Sequence, residues 1–173
     1  MCIRDRETTG GKFNEEKITE IAIYRLDNDV VTDQLHTLVY SEKEIQPFIQ
    51  NLTGINKGML ENAPKFSSIS QKINDITKNC IIVAHNADFD YRILKNEFNS
   101  IGIKFRRKTL CTIEISKQIL PKEESYSLGK LAKSLGINIE NRHRADGDAM
   151  ATLKLFKILL KLDEENIIDK LIK

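Results

Sequence analysis

Tryptophan is absent from the 173 residues, and cysteine and proline occur only three times each. No apolar run approaches the roughly eighteen residues that a membrane-spanning helix requires. Each scarcity removes a class of protein. Cys2, Cys80 and Cys111 are odd in number and far apart, with no Cys-x-x-Cys and no neighbouring histidine. They predict reduced thiols, not a disulfide framework or a zinc site. The N-terminus carries basic residues but no apolar h-region, so no secretory signal is read, and the expected location is the cytoplasm with no membrane partner. Excess charge is lacking as well. The 27 basic and 25 acidic side chains leave +2, which neither demands nor excludes a nucleic-acid partner, so any basic surface must be local.

Hydrophobic residues make up 40% of the chain, enough for one domain with a real core and short for two. The expected organisation is a single domain over residues 1–173, with no internal repeat, no low-complexity linker and a tail helix in 163–173. Residues 1–6, Met-Cys-Ile-Arg-Asp-Arg, are expected to be a junction or non-native leader. A buried central strand ending at Asp5 and Glu7 should be preceded by several apolar residues, and only Cys2 and Ile3 are available. The first strand is therefore expected to be truncated or replaced.

Beyond Gly10-Gly11, two apolar-bearing segments, 17–26 and 30–40, flank the turn residues Asp27-Asn28-Asp29 and predict a hairpin. Short helical segments lie in 46–62. Phe66, Ile69, Ile73 and Ile76 then mark an amphipathic helix, with Ser67 or Ser68 as its expected cap. Cys80 to Ala84 is a continuous apolar run, the pattern of a strand buried on both faces. It leads into a helix carrying Phe89, Ile93, Leu94 and Phe98. A short strand at 109–112 and helices over 113–120 and 127–135 follow, the last closed by Gly136. A polar loop, 138–144, precedes a long helix over about 145–162. The pattern gives an α/β fold with a mixed sheet of about five strands flanked by helices.

The candidate chemistry is carried by carboxylates. The period-two geometry of a strand puts Asp5 and Glu7 on one face, able to share a divalent cation. Asp90 follows the buried strand at 80–84, where open α/β sheets place their sites. His143 and Asp148 flank the start of the long helix. Four carboxylates and a histidine suit two-metal phosphodiester hydrolysis, in which hard cations about 3.5–4 Å apart activate water and stabilise the leaving oxygen. A histidine titrating near neutrality can accept the proton of that water.

Three segments match motifs in a fixed order: Asp5-Arg6-Glu7-Thr8-Thr9-Gly10, His85-Asn86-Ala87-Asp88-Phe89-Asp90, and His143-Arg144-Ala145-Asp146-Gly147-Asp148-Ala149. On these the sequence resembles the DEDD exonuclease superfamily, histidine branch. Within it, the chain is most similar to the proofreading epsilon subunit of bacterial DNA polymerase III. The resemblance implies a ribonuclease H-like fold and a 3′–5′ exonuclease that releases nucleoside 5′-monophosphates from single-stranded or frayed DNA 3′ ends, in proofreading or repair. It implies two Mg²⁺ or Mn²⁺ ions on Asp5, Glu7, Asp90 and Asp148, with His143 as general base. Thr8 and Thr9 would line the pocket of the terminal nucleotide together with His143, and Asn86 and Phe89 would support the second motif beside it. A DNA polymerase subunit is the implied protein partner. Alternatives are an exoribonuclease acting on RNA 3′ ends or oligoribonucleotides, and a catalytically inactive nucleic-acid-binding module.

Other polar residues have plainer expectations. His85 should satisfy backbone groups at a strand end, and Asp88 should favour a helix start. Asp146, Glu20 and His36 should face solvent. Cys80 and Cys111 should be inert core thiols. Arg106-Arg107-Lys108 is expected to contact a nucleic-acid backbone.

Overall fold

The computed structural model describes residues 1–173. Its strands are β1 (Cys2–Thr8), β2 (Ile18–Asp27), β3 (Val30–Leu38), β4 (Ile81–Ala84) and β5 (Lys108–Cys111). The helices are α1 (Pro47–Thr53), α2 (Lys57–Leu60), α3 (Phe66–Ile76), α4 (Ala87–Ser100), α5 (Thr112–Ile119), α6 (Leu128–Ser134), α7 (Ala145–Leu162) and α8 (Ile167–Lys170). The strands form one mixed sheet in the order β3-β2-β1-β4-β5. β1 lies at its centre, antiparallel to β2 and parallel to β4.

Alternation along β1 sorts its side chains into two cores. Ile3 joins Ala22, Tyr24, Val83 and Leu110 against Ala149, Leu153 and Phe156 of α7. Cys2 joins Ile21, Ile23 and Ile82 against Ile73 and Ile76 of α3 and Ile93, Leu94 and Phe98 of α4. Phe98 stacks on Phe105 at 4.3 Å between ring centroids, which anchors α4 to the loop before β5. The sheet therefore carries α7 on one face and α3 and α4 on the other.

The residues before Glu7 do form a strand despite their few apolar side chains. β1 is seven residues long and paired with β2 from Cys2 opposite Arg25 to Thr8 opposite Ile18. Main-chain pairing on both sides satisfies its backbone whatever its side chains are. Arg4, fully buried, fills the place an apolar side chain would take on the α4 face, and finds an anionic partner there. The expected serine cap of α3 is corrected, because Phe66 already lies in the helix and Ser67 and Ser68 sit inside its first turn. Gly136 does follow α6 as expected, with φ +69° in the left-handed region.

Candidate active site

The site lies at the C-terminal ends of β1 and β4, where α4 and α7 begin. Asp5 and Glu7 point to the α7 face, and Asp148 meets them from the first turn of α7. One ligand atom from each of the three lies within 4.8 Å of the others. Burial pushes Glu7 up to about 8, and Asp148 and Glu20 push it the same way against the pull of Arg6. Asp5 is held well above the carboxylate range by burial first and by Asp90 next. Asp148 is raised by burial against the opposing charge of His143. Three half-buried carboxylates that resist ionisation together call for a cation or protons among them. One buried oxygen of Asp148, Oδ1, has no hydrogen-bond partner. Converging hard oxygen donors with an orphaned acceptor fit a Mg²⁺ or Mn²⁺ ion.

Asp90 occupies a different environment. It is 2% exposed and lies in the first turn of α4, on the other face of the sheet. Arg4 Nη2 donates to its backbone carbonyl at 2.5 Å and lies 3.4 Å from Oδ1, and Arg6 Nη2 lies 3.4 Å from Oδ2. The expected four-carboxylate set is therefore found as three converging groups plus one carboxylate engaged by two guanidinium groups. Arg4 Nε and Nη1 and Arg6 Nε have no partner. Burial lowers Arg4 to about 10 although Asp90 opposes that shift.

The turn after Glu7 is built by Thr9 and Gly10. Thr9 is fully buried, its amide donates to the Lys17 carbonyl at 2.9 Å, and its hydroxyl accepts from the Lys17 amide at 3.1 Å. Its carbonyl accepts from the Gln46 amide at 2.9 Å, which brings the start of α1 against the motif. Gly10 suits that turn: its φ is +68°, in the left-handed region, and a Cβ there would press on the Gln46 side chain. Thr8 is buried, and its hydroxyl accepts from the Gly10 amide at 3.3 Å.

In the second motif Asn86 is exposed, with φ +80°, and turns the chain from β4 into α4. Phe89 packs beneath Arg6, whose guanidinium carbon is 4.3 Å from the ring centroid. His85 Nε2 donates to the Tyr126 carbonyl at 2.9 Å, which leaves Nδ1 to accept from the Thr112 hydroxyl at 2.9 Å. Burial lowers its pKa. As expected, this histidine ties a strand end to its neighbours. His143 is half-buried on the loop before α7, and it adopts φ +62°, a left-handed conformation unusual for a side-chain-bearing residue.

Glu20 is corrected, whereas His36 is exposed as expected. Glu20 is fully buried, and its carboxylate accepts from Arg144 Nε at 2.9 Å, Arg144 Nη2 at 2.6 Å, the Ala145 amide at 2.9 Å and His36 Nε2 at 2.9 Å. Desolvation works to raise its pKa, but the bonds from Arg144, His36 and Ala145 outweigh it and hold Glu20 below the usual range. A charged residue interrupting the apolar segment 18–26 was the available signal; the partners that bury it come from β3 and the third motif. Asp146 accepts from the Tyr24 hydroxyl and lies 4.0 Å from His36 Nδ1, so it is directed toward β2 and β3. The Arg106 to Lys108 cluster begins β5 at the opposite end of the sheet from the site.

Comparison with known proteins agrees with this geometry. Residues 2–156 match the Exonuclease family, RNase_T, and the chain belongs to that family. Within it the motifs and the fold are those of the DEDD type of 3′–5′ exonuclease. The 3′-5′ exonuclease DinG of Staphylococcus aureus is 40% identical over 171 residues, 98% of this chain. The chain spans 19% of the length of that relative. Among solved structures, Exonuclease X in complex with 5′ overhanging duplex DNA superposes with a TM-score of 0.76 at 24% identity, over 92% of this chain and 90% of that one. E. coli Exonuclease I in complex with a dT13 oligonucleotide gives 0.84 at 18% identity, over 96% and 42%. The nuclease domain of 3′hExo, a DEDDh family member bound to rAMP, gives 0.78 at 20% identity, over 92% and 90%. The ribonuclease H-like architecture is thus shared. No helix is long and apolar enough to cross a membrane.

Proposed function

We propose that this chain is a divalent-cation-dependent 3′–5′ exonuclease that releases nucleoside 5′-monophosphates from single-stranded or frayed DNA 3′ ends, in cytoplasmic proofreading or repair. The observation that carries the reading is the convergence of Asp5, Glu7 and Asp148 within 4.8 Å, with one Asp148 oxygen buried and unpartnered. These residues would hold Mg²⁺ or Mn²⁺. Such an ion, when bound, lowers the pKa of water and offsets charge on the phosphodiester. His143, on the loop before Asp148, is the proposed general base, accepting the proton from the attacking water at a ring nitrogen. The turn at Thr8 and Thr9 would present its backbone to the terminal nucleotide, held firm by the Lys17 and Gln46 contacts. Asn86 and Phe89 shape the adjoining wall. Asp90 is the fourth proposed carboxylate, and a second ion beside it would have to displace or tolerate Arg4 and Arg6.

The DNA-bound Exonuclease X and Exonuclease I support a DNA end as substrate, and the rAMP-bound 3′hExo and the exonuclease that recognises the histone mRNA stem-loop support the RNA alternative. A DNA polymerase partner is supported by the motif resemblance alone. The test is release of 5′-mononucleotides from a 3′-labelled DNA oligonucleotide beside a matched RNA. Activity that survives EDTA or Asp148→Ala would overturn the reading. Faster cleavage of the RNA would reassign the substrate, and binding without turnover would make the chain a nucleic-acid-binding module.

A further inference from the structure

We infer that Glu20 and Arg144 form a clamp that positions both His143 and Asp148, so that Glu20 on β2 is a positioning residue of the site. This rests on the exonuclease reading above. The clamp grips the two residues that join His143 to α7. Oε2 of Glu20 accepts from Arg144 Nε and from the amide of Ala145, the first residue of the helix, and Oε1 accepts from Arg144 Nη2 and His36 Nε2. Arg144 stands at the N-cap of α7 but its side chain makes no capping bond, so a carboxylate from the neighbouring strand takes that role. A two-pronged Arg–carboxylate contact fixes direction as well as distance.

The residue just before this clamp is the one that needs fixing. His143 holds φ +62°, a left-handed conformation whose direction is set by the contacts on either side of it. On the C-terminal side the contact is Glu20. On the N-terminal side the loop is pressed onto α7 at Gly147, where a Cβ would lie 2.0 Å from the Glu140 carbonyl and 2.5 Å from that of Asn141. The Arg144 amide also donates to the Asn141 carbonyl at 3.1 Å. Glu20 is in addition the cross-strand partner of Glu7. Glu20 therefore joins, through its backbone pairing, the strand that carries Glu7 and, through its carboxylate, the helix that carries Asp148 and the loop that carries His143. Outer-shell groups that orient ligands and bases typically change affinity or activity by 10–100-fold when lost.

Every partner of Glu20 offers it a hydrogen, which makes Glu20→Gln diagnostic: the volume is kept, but one acceptor becomes a donor facing donors. Glu20→Gln and Arg144→Ala are expected to lower kcat on a 3′-labelled oligonucleotide by about 10–100-fold with KM within about threefold. Mn²⁺ affinity, followed by electron paramagnetic resonance, should weaken about tenfold or more in both. Arg144→Lys, which keeps the charge and loses the fork, should recover only part of either loss. Circular dichroism identifies the folded variants, and Arg144→Lys serves if Glu20→Gln does not fold. Folded variants with wild-type kcat and Mn²⁺ affinity, or a loss confined to KM, would overturn the clamp. A wild-type chain that releases no mononucleotide would overturn the exonuclease reading, while weaker Mn²⁺ binding in Arg144→Ala would still support the clamp.

Discussion

The two faces of β1 differ in what their charges meet. Toward α7, Asp5 and Glu7 face Asp148, and three carboxylates are left with repulsion and burial to offset. Toward α4, the alternate residues Arg4 and Arg6 face Asp90, and opposite charges are already matched inside the protein. Residues one apart in sequence thus enter opposite electrostatic settings because a strand sends them to opposite sides. The first face needs a cation or protons to offset its carboxylates. The second pairs its one carboxylate with two guanidinium groups, so removing a carboxylate should have opposite consequences on the two faces.

The largest effect is expected from removing one carboxylate on each side. Asp148→Ala should reduce kcat by at least about 10³-fold, equivalent to several kcal/mol of transition-state stabilisation. The same change should stabilise the cation-free protein toward urea, since it relieves repulsion on Glu7, for which Asp148 is the strongest like charge. Asp90→Ala should do the reverse in EDTA and destabilise the protein by about 3–5 kcal/mol, because it leaves the fully buried Arg4 without an anion. Urea melts of the two variants in EDTA that move the same way would break the comparison.

Next in size is release of Asp90 from its arginines. Arg4→Met keeps the buried volume apolar and removes the closer guanidinium from the Asp90 backbone and side chain. Mn²⁺ affinity should rise roughly tenfold, the scale of an outer-shell charge, and isothermal titration should show a larger bound fraction at a second ion. An unchanged isotherm would mean that Asp90 and the α7-face carboxylates act independently.

A smaller, graded effect is expected from pH. Glu7, Asp5 and Asp148 all bind protons more tightly in the folded chain than ordinary carboxylates do. For Glu7 the window runs from the usual 4.5 to about 8. Across it the native state holds more protons than the unfolded state, so stability in EDTA should fall as pH rises from about 5 to 8. Excess Mn²⁺ should flatten or reverse the slope by displacing those protons. Differential scanning calorimetry at several pH values, with and without the ion, reads both slopes, and parallel slopes would count against a cation site on this face.

What the sequence disclosed follows the same division. Asp5 and Glu7 were legible because period two needs only neighbours in sequence, and Asp148 because it begins a long apolar helix. The mixed sheet was legible from the hairpin and the buried run before His85. Glu20 was not, because a polar residue in a strand ordinarily marks a solvated face, and the groups that bury it lie 16 and 124 residues away. Arg4 was opaque for a related reason. A charged residue two places into a strand reads as its end, and only the fold shows that Asp90, 86 residues on, meets it inside the core.

The smallest expected effect concerns a third arginine setting, at the far end of the sheet. Arg107 was expected to contact nucleic acid, yet its Nε donates to the Thr77 carbonyl at 2.8 Å. Its Nη2 donates to the Asn74 carbonyl at 3.0 Å and to Asn74 Oδ1 at 2.7 Å. These are groups at the C-terminus of α3, where a cation complements the helix dipole. The guanidinium also lies 4.6 Å from the Phe105 ring centroid. Arg107→Ala should therefore destabilise the protein by about 1–2 kcal/mol through lost capping and cation–π contact. The salt dependence of oligonucleotide binding should stay unchanged, whereas a phosphate contact would make it shallower by about one unit of slope. A shallower slope with unaltered stability would place this arginine on the nucleic acid, in contrast to the internal pairing of Arg4 and Arg6.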